Sequence, residues 1–221
     1  MGYRIRTKIC GVTTAADAAM VVSAGADLIG LNFYPKSPRY IDQSAAQEIL
    51  STIPATVEPV GVFAGEVPKR MVAHAQRFGR SLTIQAHGGW PLPAEVTPYE
   101  LILAVPIGDL AGLEELADYL KRSSFSGKDL AGVLIDARVV GQFGGTGKTV
   151  PWALLSGFRP RAPLILAGGL TPENVAEAIR IVRPDAVDVA SGVESSPGRK
   201  DAGRVRSFIE NARQAAATLP D

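Results

Sequence analysis

Two residues in this chain are placed to move protons, and three glycine-bearing segments are placed to hold an anion. An apolar run over 130–135 ends in the carboxylate of Asp136 and is followed by Gly144-Gly145-Thr146-Gly147. Apolar runs bounded by turn residues read as strands buried on both faces. An acid at such a strand's exit can do proton chemistry. A loop lacking Cβ atoms at several positions can bring backbone N–H groups against a phosphate. The second proton carrier is Cys10, at the end of an earlier apolar run. A thiol becomes a base where positive potential lowers its pKa, ordinarily about 8.5. A carboxyl group becomes a general acid where burial or nearby negative charge raises its pKa. Taken singly, a cysteine on an apolar strand is most often core packing, and an aspartate there serves a turn as readily. Their shared strand-end position weighs against both readings. Gly168-Gly169 and Ser191-Gly192 follow the next two strands. One Gly-rich turn would be only a turn, whereas three after consecutive strands are a specific signal. Acid, thiol and phosphate cradle together indicate an enzyme acting on a small phosphorylated substrate.

Other residues add to that pattern less strongly. Arg39, in YPKSPR after the second strand, can clamp a carboxylate with its planar fork, although an exposed arginine is usually just solvated. His87 follows the fourth strand and Asp188 lies within the eighth, so each can reach the same mouth; as isolated residues both have structural readings. His74 lies on a helix among charged neighbours and carries no signal. Two histidines and scattered acids offer no metal-ligand spacing. QFGGTGKT approaches a Walker A motif but fails by one residue, because Gln142 stands where the first glycine is required and Gly141 is one place early.

The elements that must carry these residues alternate from end to end. Strands are expected over 5–10, 28–33, 59–63, 82–86, 101–105, 132–136, 164–167 and 186–189, each followed by a helix or helix-sized segment. That alternation predicts a single-domain (β/α)8 TIM barrel over residues 1–221, in which the C-terminal ends of all eight strands share one mouth. A doubly wound open sheet is the rival fold. Its G-x-G-x-x-G after the first strand is absent, and the glycine-rich loops cluster instead after strands six to eight, where barrel enzymes often hold phosphate. Thr14 and Asp17 form a capping-box pattern at the first helix, and Thr171-Pro172-Glu173 reads as N-cap, N1 proline and first-turn acid of the seventh. Val205, Phe208, Ile209 and Ala212 repeat at helical spacing in the last helix. Pro91, Pro93 and Pro98 break up the helix expected after Trp90.

Composition excludes several classes. The 221 residues are 46% hydrophobic and 20% charged, as a folded globular domain requires. The net charge of +1, with Lys and Arg scattered, gives no basic stripe for nucleic acid. One cysteine excludes an internal disulfide framework and a Cys-based zinc site. The start MGYRIRTKIC is charged where a signal peptide needs an apolar core, and no run approaches the roughly 20 apolar residues of a membrane span. The expectation is a cytoplasmic monomer or homodimer with no membrane partner.

Several segments, in order and over nearly the whole chain, resemble the phosphoribosylanthranilate isomerase family. They are KICGVT (8–13), AGADLIGLNFYPKSPRYI (24–41), VGVFAGE (60–66), IQAHG (84–88), LIDARVVGQFGGTGKTVPW (134–152), LAGGLTPENV (166–175) and VDVASGVESSPGRKD (187–201). Strand four departs from the QLHG more usual in the family, with Ala86 and an added Gly89, and Gly65 stands where Asn is common. The resemblance implies an Amadori rearrangement of an N-linked aminoaldose phosphate to a 1-amino-1-deoxyketose phosphate. It implies Asp136 as general acid toward the ribose ring oxygen and Cys10 as the base that takes the C2 proton. Arg39 is then expected near the anthranilate carboxylate, with Asp188 and His87 lining the site. Gly145, Thr146, Gly147, Gly169, Ser191 and Gly192 are expected at the phosphate. Helix N-termini are expected to favour a Cys10 thiolate. No cofactor or metal is implied. Another phosphosugar barrel enzyme, a non-catalytic binding barrel of the same descent and an NTPase stand as alternatives, separable by turnover and nucleotide-binding assays.

Overall fold

The computed structural model describes residues 3–66, 68–78, 82–88, 100–122, 130–137 and 152–220. Eight parallel strands close into a barrel in chain order: β1 (Arg6–Cys10), β2 (Leu28–Asn32), β3 (Glu58–Ala64), β4 (Thr83–His87), β5 (Leu101–Pro106), β6 (Leu130–Asp136), β7 (Leu164–Ala167) and β8 (Ala186–Val189). β8 pairs with β1 to complete the ring, setting Lys8 opposite Asp188. The (β/α)8 expectation holds, and the expected strands differ from these bounds by one or two residues at an end.

Alternation along each strand divides the apolar residues into two cores. Leu28, Val60, Ile102, Ala104, Leu134, Ile165, Ala167 and Ala186 point inward and fill the barrel's middle and base. Ile9, Ile29, Leu31, Phe63, Ile84, Leu103, Val133, Leu166 and Val187 point outward, under the helices. The helices α1 (Ala15–Ser23), α2 (Gln43–Thr52), α3 (Pro68–Ala75), α4 (Leu110–Arg122), α5 (Val175–Val182) and α6 (Ala202–Ala217) cover that outer layer. α6 presents Val205, Phe208, Ile209 and Ala212 inward, the face its spacing predicts. A 3-10 turn, Trp152–Leu155, precedes β7, with Leu155 fully buried. A two-stranded hairpin, β9 (Glu194–Ser196) with β10 (Arg199–Lys200), is inserted between β8 and α6. The stretch after Trp90 and the glycine loop at 144–147 lie outside the described residues.

Two helix starts refine the sequence reading. Thr14 caps α1, its hydroxyl accepting the Asp17 N–H at 3.1 Å, but the Asp17 carboxylate instead accepts the Lys200 N–H at 3.1 Å. The capping box is therefore only half made, and its acid ties β10 to α1. α5 begins at Val175 rather than beside Pro172, with Asn174 at the N-cap. Thr171 caps a preceding turn: its hydroxyl accepts from Glu173 N at 3.3 Å, and its own N–H donates to the Asn174 side chain at 2.8 Å. This local Thr–Asn turn competes with the helix and delays its start.

The loops that lead into strands carry acids that reach back to a neighbouring strand. Asp27 accepts the Thr7 N–H at 2.9 Å, and Asp185 accepts the Leu164 N–H at 2.7 Å. Arg6 and Glu58 pair at 2.7 Å on the same end of the barrel. These bonds pin the bottom of the sheet and leave its top for loops.

Candidate active site

At the C-terminal ends of the strands lies a cavity of about 160 Å³. Cys10, Arg39, His87, Asp136, Gly169, Asp188 and Ser191 all line it, so the structure brings together residues that the sequence scatters over 180 positions. Gly192 adjoins it on the 3-10 turn Ser191–Val193. Gly145, Thr146 and Gly147 lie outside the described residues.

Glycines make the room. Gly30 is opposite Cys10 in register, and a Cβ there would stand 2.8 Å from the thiol sulfur. Gly192 lets the loops after β7 and β8 touch, since a Cβ on it would meet the Leu170 carbonyl oxygen at 2.0 Å. Any side chain at Gly192 would therefore push the two candidate phosphate segments apart.

Charge is concentrated on the β8–β1 wall. The Lys8 ammonium is fully buried and donates to Asp188 Oδ1 at 2.8 Å. Burial works against that ammonium, but Asp188 and Cys10 together hold its pKa above the ordinary lysine value. Lys8 precedes Cys10 by two residues and so faces the same side of β1. Burial pushes the Cys10 thiol up, opposed by the positive charges of Lys8 and Lys200. Two ammonium groups thus supply positive potential at Cys10, and burial outweighs them.

Arg39 reaches the cavity through a clamp that the sequence reading did not foresee. Its Nε donates to Glu194 Oε1 at 2.7 Å and its Nη2 to Oε2 at 2.6 Å. Lys200 donates to the same carboxylate at 2.8 Å. Burial opposes the Glu194 charge, yet the bonds from Arg39 and Lys200 hold its pKa below the usual carboxylate range. On the opposite wall, Gln85 Nε2 and His87 Nε2 lie 2.6 Å apart, so the amide fixes the ring that faces the cavity. Lys8, Gln85, Glu194 and Lys200 are the residues that the sequence reading missed. Lys8 and Gln85 had a usable signal, each standing two places before a chosen strand-end residue on the same strand face. Glu194 and Lys200 had none, because charged residues beside a surface turn ordinarily read as solvated.

Among the described residues no group of three or more His, Cys, Asp or Glu side chains could hold a metal ion. No helix among them is long and apolar enough to cross a membrane.

A family model described as N-(5'-phosphoribosyl)anthranilate (PRA) isomerase matches residues 7–211. An N-(5'-phosphoribosyl)anthranilate isomerase of Trichlorobacter lovleyi is 43% identical over 213 residues, covering 96% of this chain and 99% of that protein. The crystal structure of phosphoribosyl anthranilate isomerase from Thermotoga maritima superposes with a TM-score of 0.83 at 37% identity, covering 96% of this chain and 100% of that one. A structure of phosphoribosyl anthranilate isomerase in complex with reduced 1-(o-carboxyphenylamino)-1-deoxyribulose 5-phosphate gives a TM-score of 0.80 at 35% identity, with the same coverage.

Proposed function

We propose, from the premise that this chain belongs to the phosphoribosylanthranilate isomerase family, that the cavity above is its active site, with Asp136 as acid and Cys10 as base. The chain is an aldose–ketose isomerase that converts N-(5-phosphoribosyl)anthranilate to 1-(2-carboxyphenylamino)-1-deoxyribulose 5-phosphate, a step of tryptophan biosynthesis. The observation that carries the assignment of roles is that Cys10 on β1 and Asp136 on β6 line one cavity from different walls.

The chemistry is a sequence of proton transfers. Asp136 gives a proton to the ribose ring oxygen, the C1–O bond breaks, and the nitrogen lone pair closes a C1=N iminium. Cys10 takes the C2 proton, and that bonding pair moves to form C1=C2 and neutralise the iminium. The enolamine then loses its hydroxyl proton and gains one at C1, which leaves the C2 ketone. The iminium cation supplies at C1 the positive charge that draws the proton from the neighbouring carbon and favours the Cys10 thiolate. Lys8 and Lys200 add to that field from the protein side.

The remaining residues divide by substrate charge. Arg39 faces the anthranilate carboxylate, with a planar fork suited to it. His87 and Asp188 hold the sugar between the two proton carriers. The backbones of Gly169, Ser191 and Gly192, with Gly145, Thr146 and Gly147, receive the phosphate; Gly192 supports this by letting the loops after β7 and β8 approach closely. A cytoplasmic setting suits a phosphorylated substrate and a cysteine that works as a free thiol.

The test is to follow the loss of anthranilate-type fluorescence on freshly generated substrate, with Cys10→Ala beside the unaltered protein. Fast loss that falls by about 10²–10⁴ in the variant is expected. Near-normal turnover by folded Cys10→Ala would remove Cys10 from the mechanism.

A further inference from the structure

Glu194 and Lys200 take no part in the proton transfers above, yet both are more than nine-tenths buried beside the site. An ammonium has three N–H donors. Lys200 directs them to the Cys10 carbonyl at 2.6 Å, the Ala190 carbonyl at 3.2 Å and Glu194 Oε1 at 2.8 Å. One buried cation therefore joins the exit of β1, the exit of β8 and the carboxylate that grips Arg39. The Arg39 stem is held as well: Gly11, at φ +72°, leaves the space where a Cβ would stand 2.3 Å from Arg39 Cδ. The guanidinium is thus fixed at its stem by the β1 exit and at its head by Glu194. Two cations share one carboxylate here. Apolar side chains of equal volume could fill such a corner at no loss of stability, so simple packing does not account for three interlocked charges.

We propose that Glu194 and Lys200 are positioning residues for the isomerisation: Lys200 locks the end of β1 so that Cys10 is held against substrate C2, and Glu194 aims Arg39 at the aromatic carboxylate. This inference rests on the roles given above to Cys10 and Arg39. Both positioning contacts come from one short segment, 191–200, which also begins with the candidate phosphate residues Ser191 and Gly192. The segment is anchored from outside by Asp17, which accepts the Lys200 N–H, and by Thr13, which donates to the Gly198 carbonyl at 2.6 Å. Phosphate end and carboxylate end of the substrate are in this way gauged by a single piece of backbone.

Two variants separate positioning from mere stability, with folding checked by circular dichroism and melting. Glu194→Gln keeps the shape but loses the charge that grips Arg39. Its KM should rise about 10- to 100-fold, the value of a charge-assisted hydrogen bond, with kcat changing less than about threefold by the same reasoning. A substrate built on aniline, which lacks the carboxylate, should show the same KM with Glu194→Gln and with the unaltered protein. Lys200→Met should lower kcat with little change in KM, and should move the limb of the kcat/KM–pH profile that reports Cys10 to higher pH. The other charged or titratable groups around Cys10 remain in place: Lys8 on its own strand, Asp188 on β8, Asp136 on β6, His87 on β4, and Arg39 with Glu194 above β2 and β8.

If Lys200→Met does not fold, the double variant Glu194→Gln/Lys200→Met leaves neither charge buried against an absent partner, and it should show both effects. Unaltered KM, kcat and pH profile in the folded variants would overturn the positioning role. Cys10→Ala and Arg39→Ala run alongside. Full activity in these would sink the reading of the site itself, whereas inactive Cys10→Ala with unaffected Glu194→Gln and Lys200→Met would sink this inference alone.

Discussion

The two ends of the barrel are built from the same eight strands but use polar groups in opposite ways. At the base, acids chiefly tie down backbone: Asp27 holds the Thr7 N–H and Asp185 the Leu164 N–H, while Glu58 pairs with the Arg6 side chain at the rim. At the mouth, acids hold other side chains in a chosen direction: Asp188 holds Lys8, and Glu194 holds Arg39 and Lys200. Between the two ends stands the inner apolar layer of Leu28, Val60, Ile102, Leu134 and Ile165. The difference teaches that stability and chemistry are separable along the strand axis, the lower half of each strand serving the first and its last residues the second.

The sharpest way to break this comparison is to alter one residue in each region and read both activity and stability. Asp136→Asn, at the mouth, should lower kcat/KM by about 10²–10⁴ while leaving the melting temperature nearly unchanged. Ile102→Ala, 1% exposed in the inner layer, should do the reverse. Deleting a buried isoleucine costs about 2–5 kcal/mol in unfolding free energy, while kcat per folded molecule at 25 °C should hold. Urea unfolding with parallel assays measures both. A large loss of kcat in still-folded Ile102→Ala would show that the apolar layer sets the site's geometry and would end the separation.

A milder change tests whether the helices belong with the base or with the mouth. Thr14→Ala removes the cap of α1, which should cost about 0.5–2 kcal/mol and leave KM and kcat alone. Asp17, one turn on, makes the contrast, because its carboxylate carries β10 and with it Lys200. Asp17→Ala should therefore also depress kcat. Equal kinetics in the two variants would place the hairpin's anchoring elsewhere.

How much of this was legible follows from the same division. The strands were legible because a barrel strand is buried on both faces and reads as an apolar run. Cys10, Asp136 and His87 were legible because they interrupt those runs at or beside the exit, and Asp188 because it lies within the eighth strand and can reach the mouth. The partner of Asp188, Lys8, was missed although inward alternation from Cys10 points to it, since a charged residue near a chain start reads as solvated. The start of α5 was misplaced because Thr171 and Asn174 bond to one another, a competition that helix propensity does not express. Arg39 was read as a substrate clamp from its fork and from the family resemblance. Its own clamp, Glu194, is 155 residues away and could come only from the closing of β8 on β1.

The smallest effect expected lies in neither end but in the layer between barrel and helices. His74 on α3 packs against Phe33 at a ring-centroid distance of 4.4 Å, Phe78 at 5.6 Å and Phe63 at 5.7 Å. Its Nε2 is buried without a hydrogen-bond partner among the described residues. Burial lowers its pKa from the ordinary 6.5, with Arg77 adding to the shift and Glu66 opposing it. The folded chain thus holds this ring neutral where the unfolded chain begins to bind a proton. Stability from this residue is complete above the unfolded-state value and is lost as pH falls from there toward the lower folded-state value. Urea midpoints at pH 8 and pH 5.5 should therefore differ more in the unaltered protein than in His74→Phe, which has no proton to gain. The activity per folded molecule should not distinguish them. Equal pH sensitivity of the two midpoints would show that the aromatic surroundings of His74 impose no penalty on its charge.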